Sequence, residues 1–260
     1  LQSDYYRVSI KRLGPPPREP DAPPGLSSNY FHNDLQAGDI VDVKAPSGNF
    51  WLDLSKHRPV VLIGGGVGLT PMVSMLNAIC ESGSQRETWF FYGVRNGDEH
   101  IMRAHLEALE AEYENVHVRV CYSDPKDDEV EGEGFHHGCR VSVDLFKKVL
   151  PSNNYEFYIC GPPPMMEALT EGLDEWGVPE PDVFFEAFGP ASVKKIAQAP
   201  GSTVAAPTGQ VVTFVRSNKK VTWDGSHGSI LELAEANGIE LDYGCRAGSC
   251  GTCIAAVKTG

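Results

Sequence analysis

Residues 58–71, RPVVLIGGGVGLTP, constrain the fold more than any other stretch of this chain. Four apolar residues, Val60 to Ile63, run without a polar interruption into three glycines and then into a helical pattern. An amphipathic strand alternates, so an unbroken apolar run implies burial on both faces, as in a parallel sheet. Thr70 is expected as the N-cap of the following helix, with Pro71 at its first position. Met72, Leu76, Ile79 and Cys80 fall on one face of that helix. The same alternation continues, with strands at 87–94, 116–123, 155–161 and 183–189. Helices are expected at 103–113, near 142–150 and at 165–177. Strands that alternate with helices predict a parallel α/β domain over residues 56–190.

The flanks read differently. Residues 1–55 hold short alternating segments, YYRVSI (5–10) and DIVDVKAP (39–46), around the Pro-rich loop at 14–25. They are expected to be antiparallel β, part of a barrel. Residues 191–207 are small and punctuated by Pro and Gly, and read as a linker. Over 208–260 a hairpin is expected at 210–223 and a helix at 229–238, with a Ser229/Glu232 capping box and Gly238 as its stop. This unit reads as a partial β-grasp. The fold class expected is therefore multidomain, and 260 residues suit two or three small domains.

Composition excludes some classes of function. A net charge of −13 argues against a nucleic-acid partner, which needs a basic surface. No stretch is long and apolar enough for a membrane span. The N-terminus lacks the apolar segment of a signal peptide, so a cytoplasmic location is expected. The chain starts without Met and runs at once into strand-like residues, which is expected of a chain entered mid-domain.

Of seven cysteines, Cys80, Cys121, Cys139 and Cys160 are scattered. Cys245, Cys250 and Cys253 form C-x4-C-x2-C within YGCRAGSCGTC. That grouping favours one metal cluster in a reducing compartment over a disulfide scaffold. The spacing fits a 2Fe–2S cluster, and the small residues between the thiols let backbone N–H groups approach the sulfurs. Zinc would favour paired CxxC units, and only one is present. A fourth ligand is expected further downstream, beyond a truncated C-terminus. The glycine-rich turn at 64–68, between strand and helix, suits a pyrophosphate at a helix N-terminus. Leu69 stands where a Rossmann fingerprint would carry its third glycine.

With these motifs in hand, the chain resembles the ferredoxin–NADP reductase superfamily, in the subgroup with a C-terminal plant-type 2Fe–2S ferredoxin domain. PGLSSNYFHN (24–33) is similar to that family's flavin-pyrophosphate segment, YICGPPPMM (158–166) to its nicotinamide-side loop, and FFEAFGP (184–190) to its closing strand. The resemblance implies that Leu26, Ser27 and Ser28 contact the FAD pyrophosphate, with Asn29 bracing their turn. It implies a dinucleotide site lined by Gly65, Gly66, Val67 and Thr70 on one side and by Cys160, Gly161 and Pro162 on the other. Glu186 and Phe188 would sit by the flavin ring, and Thr70, Cys160 and Glu186 would be the catalytic set. Met165 and Met166 are read as helix packing, and His136 and His137 as surface residues.

The family's R-x-Y-S/T flavin motif is expected before Leu1 and is absent from the chain. FMN is the alternative flavin, although LSSN at 26–29 matches the FAD type better. Asp124, Asp127 and Asp128 against the single Lys126 favour NADH over NADPH, with Arg95 as the residue able to reverse this. The implied activity is hydride transfer from NAD(P)H to FAD, then single electrons to the 2Fe–2S cluster and an external acceptor such as an oxygenase component. The alternatives are an electron-carrier or regulatory module without NAD(P)H turnover, or the reductase part of a fusion with a MOSC domain.

Overall fold

The computed structural model describes residues 5–15, 20–43, 48–188, 209–223, 227–243, 253 and 255–259. The chain divides into two compact units. One comprises residues 1–46 and 51–186, the other residues 47–50 and 187–260.

The first unit is built on a five-stranded parallel sheet in the order β3-β2-β1-β4-β5. Its strands are β1 (Val60–Gly65), β2 (Thr88–Val94), β3 (Val116–Tyr122), β4 (Glu156–Cys160) and β5 (Val183–Glu186). Between them run the helices α2 (Leu69–Glu81), α3 (Arg103–Glu112), α4 (Val143–Val149) and α5 (Pro163–Glu175). Val60, Val61, Leu62 and Ile63 have no solvent exposure. Successive strand side chains point to opposite faces, so both faces of β1 are covered. Met72, Leu76 and Ile79 of α2 and Met166, Leu169 and Leu173 of α5 complete the core. Phe146 of α4 packs its ring 4.7 Å from that of Phe91. Ser142 caps α4, its Oγ accepting from Leu145 N–H.

Helix α2 corrects one expectation. A single 3-10 turn, Gly66–Gly68, precedes it, and Gly68 rather than Thr70 occupies the N-cap. Thr70 lies inside the first turn and donates its hydroxyl to the Val67 carbonyl at 3.1 Å. The glycines let the chain turn tightly enough to start the helix earlier than the Thr-Pro pair suggests.

The N-terminal segment departs further. No strand forms among the described residues before β1, so the barrel strands expected at 5–10 and 39–46 are not observed over 5–10 and 39–43, and residues 44–46 lie outside the described residues. Their apolar side chains stay in water, Tyr6 at 86% and Ile40 at 95% exposed. Alternation specifies a strand only where a partner supplies the ladder, and no described segment pairs with these. Residues 26–33 instead form α1 (Leu26–Asn33).

In the second unit the expected hairpin is present as β6 (Gln210–Phe214) and β7 (Lys219–Trp223), paired antiparallel. Helix α6 (Ile230–Ala236) follows, with Ser229 Oγ accepting from Glu232 N–H at 3.2 Å. Glu232 returns its carboxylate to Gly228 N–H at 2.7 Å, one residue earlier than a capping box requires. Gly238, at φ 62°, ends the helix, with Gly238 N–H on Glu235 and Ile239 N–H on Ala234. The expected linker at 191–207 lies outside the described residues, as do Cys245 and Cys250 of the cysteine loop.

The N-terminal edge of the parallel sheet holds a buried charge cluster. Arg86 and Glu156 are 3% and 2% exposed. Arg86 Nη2 donates to Glu156 Oε2 at 3.0 Å and its Nε to the Arg58 carbonyl at 2.8 Å. Lys56 Nζ closes on Glu156 Oε1 at 2.7 Å. Removing one member of such a pair strands the other charge away from water. Glu156→Ala is therefore expected to cost about 3–5 kcal/mol of folding stability, read as a lower urea midpoint.

Candidate functional site

The strand order reverses between β1 and β4: β2 and β3 lie beyond β1, and β5 beyond β4. In an open parallel sheet, the crevice outside the strand C-termini at such a reversal is where ligands bind. Both glycine-bearing motifs end there. Gly64 of β1 pairs in register with Cys160 of β4, and Cys160 with Glu186 of β5.

The two loops leave these strands almost in contact. A Cβ on Gly68 would overlap the Cys160 carbonyl, and one on Gly161 would lie 3.2 Å from Gly65 Cα. Gly66 takes φ 53°, a left-handed conformation open to glycine, and faces open space. A turn made of glycines apart from Val67 therefore lines the crevice beside the start of a helix. That is the arrangement a pyrophosphate requires. Met165, the first residue of the MM pair, sets its sulfur against both loops, 3.1 Å from a Cβ built on Gly161. Met166 is wholly buried as packing.

Of the expected catalytic set, Thr70 is half-buried beside the crevice and Glu186 is half-buried at the end of β5. Cys160 has no exposure at all. Burial first, and then the Glu186 charge, pushes its thiol up to about 12. It is thus a neutral group whose carbonyl seats Gly68, and not a thiolate nucleophile. Gly161 and Pro162 remain accessible beyond it. Phe188, in the second unit, is 48% exposed.

The flavin-segment residues form a separate feature of the first unit. Leu26 and Ser27 are exposed at the start of α1, and their N–H groups have no intrahelical partner, being in its first turn. The Ser28 hydroxyl is already engaged, accepting from Leu13 N–H at 3.2 Å and donating to the Gly25 carbonyl at 3.1 Å. Asn29 Nδ2 donates to the Leu13 and Gly25 carbonyls, both at 2.8 Å. Arg12 Nε donates to Asn29 Oδ1 at 2.9 Å. Ser28 and Asn29 brace this turn, while Ser27 lies exposed at its surface.

At the far ends of β2 and β3, each candidate 2′-phosphate cation already has a carboxylate. Arg95 Nε donates to Glu99 Oε1 at 2.8 Å, and Lys126 Nζ to Asp98 at 2.6 Å. His136 is exposed at the surface and His137 half-buried. Cys253 is partly exposed and free.

Comparison with known proteins agrees with the parallel α/β fold of the first unit. Residues 62–171 match the family model of an oxidoreductase NAD-binding domain, and residues 214–260 that of a 2Fe-2S iron-sulfur cluster binding domain. A solved structure, the flavohem-like FAD/NAD binding domain of nitric oxide dioxygenase from Vibrio cholerae, is 31% identical with a TM-score of 0.58. The match covers 70% of each chain. The chain belongs to the ferredoxin–NADP reductase superfamily. Within that superfamily it carries a C-terminal 2Fe–2S ferredoxin domain. A cytochrome P450 reductase of Amycolatopsis is 27% identical with a TM-score of 0.56, covering 65% of this chain and 50% of that one. A flavohemoprotein of Bacillus thuringiensis subsp. konkukian is 39% identical over 189 residues, 73% of this chain. The chain spans about half the length of the curated relatives it matches, 46% in that case.

Two residues of this reductase-family site gave little sign of themselves in the sequence. Gly68 was one more glycine in a run, and its role depends on a carbonyl 92 positions away in the numbering, at Cys160. Met165 looked like its neighbour Met166, and only packing separates them.

Two expectations follow. Gly68→Ala forces the β1 and β4 loops apart and should cost about 1–3 kcal/mol, measured by thermal unfolding. Burial raises the Glu186 carboxyl above its ordinary value of 4.5. A carboxyl raised in the folded state contributes most below its unfolded value, and that contribution is lost as pH rises through the folded value. Stability should therefore fall from pH 4.5 toward neutrality. Glu186→Gln, which does not titrate, should flatten that part of the curve.

Proposed function

We propose that the protein is an NADH-dependent reductase that passes electrons through FAD to its 2Fe–2S domain and on to an acceptor protein such as an oxygenase component. When bound, these groups supply the redox chemistry: two electrons leave the nicotinamide as hydride, the flavin separates them, and the cluster carries them singly. The chain supplies binding, orientation and exclusion of water.

The observation that carries this reading is the convergence of the Gly65–Gly68 turn and the Cys160–Pro162 turn at the switch point of the sheet. The first offers backbone to a pyrophosphate, and the helix dipole of α2 adds a partial positive charge. The second would form the opposite wall, and Thr70, held to the Val67 carbonyl, would stand near the nicotinamide. Leu26, Ser27 and Ser28 would hold the flavin phosphates through the first-turn N–H groups of α1 and the Ser27 hydroxyl. Cys245, Cys250 and Cys253 would bind the cluster. Glu186 would hold a proton near the flavin edge, since burial favours its neutral form.

NADH is preferred over NADPH on electrostatic grounds. Arg95 and Lys126 are already neutralised, and Asp124 would repel a 2′-phosphate. Freeing Arg95 should relax this. An exposed ion pair is worth ~0.2–1 kcal/mol, so Glu99→Gln should lower the KM for NADPH by about 1.4- to fivefold while leaving that for NADH unchanged.

The relay is tested with protein loaded with FAD and cluster and mixed anaerobically with NADH. The expected result is bleaching of the flavin absorption followed by the EPR signal of a reduced 2Fe–2S centre. In Cys250→Ser the flavin should still bleach and the signal should vanish. Bleaching without any EPR signal in the unsubstituted protein would overturn the relay.

A further inference from the structure

Beyond the reductase site, the first unit brings two cysteines together. Cys121 lies on β3, in register with Gly93 of β2, which is itself in register with Gly65 at the crevice. The chain leaves β3, makes the acidic excursion over 124–134 and returns alongside the strand. Backbone hydrogen bonds and a ring contact hold the return. Tyr122 N–H donates to the His137 carbonyl at 2.9 Å, and His137 N–H to the Val120 carbonyl at 3.1 Å. The Phe135 ring stacks on Tyr122 with centroids 4.3 Å apart. Gly138 N–H donates to Glu131 Oε2 at 3.0 Å, fixing the turn from within.

Cys121 bridges His137 across the return, and Cys139 follows two residues later, near enough for its thiol to raise that of Cys121. Both are free thiols, Cys121 fully buried and Cys139 exposed. The return thus brings two cysteines onto adjoining segments, with only one of them open to solvent. Among the other described cysteines, Cys80 and Cys160 are buried and Cys253 is partly exposed.

We propose that Cys121 and Cys139 form a reversible thiol–disulfide site whose substrate is a low-molecular-weight disulfide. Cys139, the accessible thiol, attacks one sulfur of the incoming disulfide as thiolate. An S–S bond to the protein forms, the original S–S bond breaks, and one small thiol departs with a proton. Cys121 then loses its proton and attacks Cys139 Sγ, and the second small thiol leaves. The two protein thiols are oxidised by two electrons, and one disulfide is reduced to two thiols. Burial raises the Cys121 thiol, so it resolves the mixed disulfide and does not start the exchange. The product bond would tie the 124–139 loop, which carries Asp124 and Lys126, to the sheet.

The test incubates the whole protein with glutathione disulfide, blocks remaining thiols with N-ethylmaleimide, and digests with trypsin without reduction. Cuts after Arg119, Lys126 and Arg140 place the two cysteines in separate peptides, 120–126 and 127–140. The expected product is that pair joined, and separated again by dithiothreitol. In Cys121→Ala, Cys139 should stop as the glutathione mixed disulfide. In Cys139→Ser, an exposed position, Cys121 should stay a free thiol. The proposal fails if Cys139 of the unsubstituted protein ends as the mixed disulfide, as free thiol, or joined to another cysteine.

Discussion

Everything at the candidate site depends on how closely the chain leaving β1 approaches the chain leaving β4. Gly68 sits where a side chain would strike the Cys160 carbonyl, and Gly65 lies against Gly161. Two backbones can come that near only where neither bears a Cβ in the gap. The consequence is a crevice walled by peptide groups, at a helix N-terminus, over a sheet that is closed on both faces. Such a wall offers N–H donors and a partial positive charge without the mobility of long side chains, which suits a phosphate-bearing dinucleotide. The hydrophobic run of β1 makes the wall rigid, since Val60 to Ile63 are packed from both sides.

The opposite end of the sheet is built on another principle. There a buried Arg86–Glu156 pair, supported by Lys56 and the Arg58 carbonyl, joins the starts of β2 and β4. Charges buried this way tolerate little loss of a partner, so this end holds the strand order while the far end stays free to receive ligands. Cys160 illustrates the division of labour within one strand. It belongs to the CGP motif, yet its thiol is buried and neutral and its carbonyl is what the site uses.

The electrostatics of the nucleotide's adenosine end are equally a matter of pairing. Counting charges along CYSDPKDD favours NADH, and the structure strengthens that reason. Arg95 and Lys126 are each matched by a carboxylate from the Asp98–Glu99 turn. Free cations would have argued the other way with the same sequence composition. In the same region, residues separated by the acidic loop return to place Cys139 beside Cys121, a pairing that spacing alone does not suggest.

By itself, the sequence determined the α/β alternation, the buried character of β1, the hairpin and the capped helix of the second unit, and the three clustered thiols. Each is a local property: an apolar run, a 3.6-residue period, a Ser-x-x-Glu cap and a short cysteine spacing act within a few residues. Over the described residues of the segments expected as barrel strands, 5–10 and 39–43, no strand is present, because a strand is satisfied only by a partner and alternation cannot supply one. Which glycine must be glycine, that Ser28 and Asn29 brace their turn while Ser27 faces outward, that Met165 lies on the crevice and Met166 beneath it, and that Cys160 is inaccessible were decided by tertiary structure. These depend on which distant backbone arrives at a given point, and that is set by the order of strands in the sheet rather than by any neighbour in the chain.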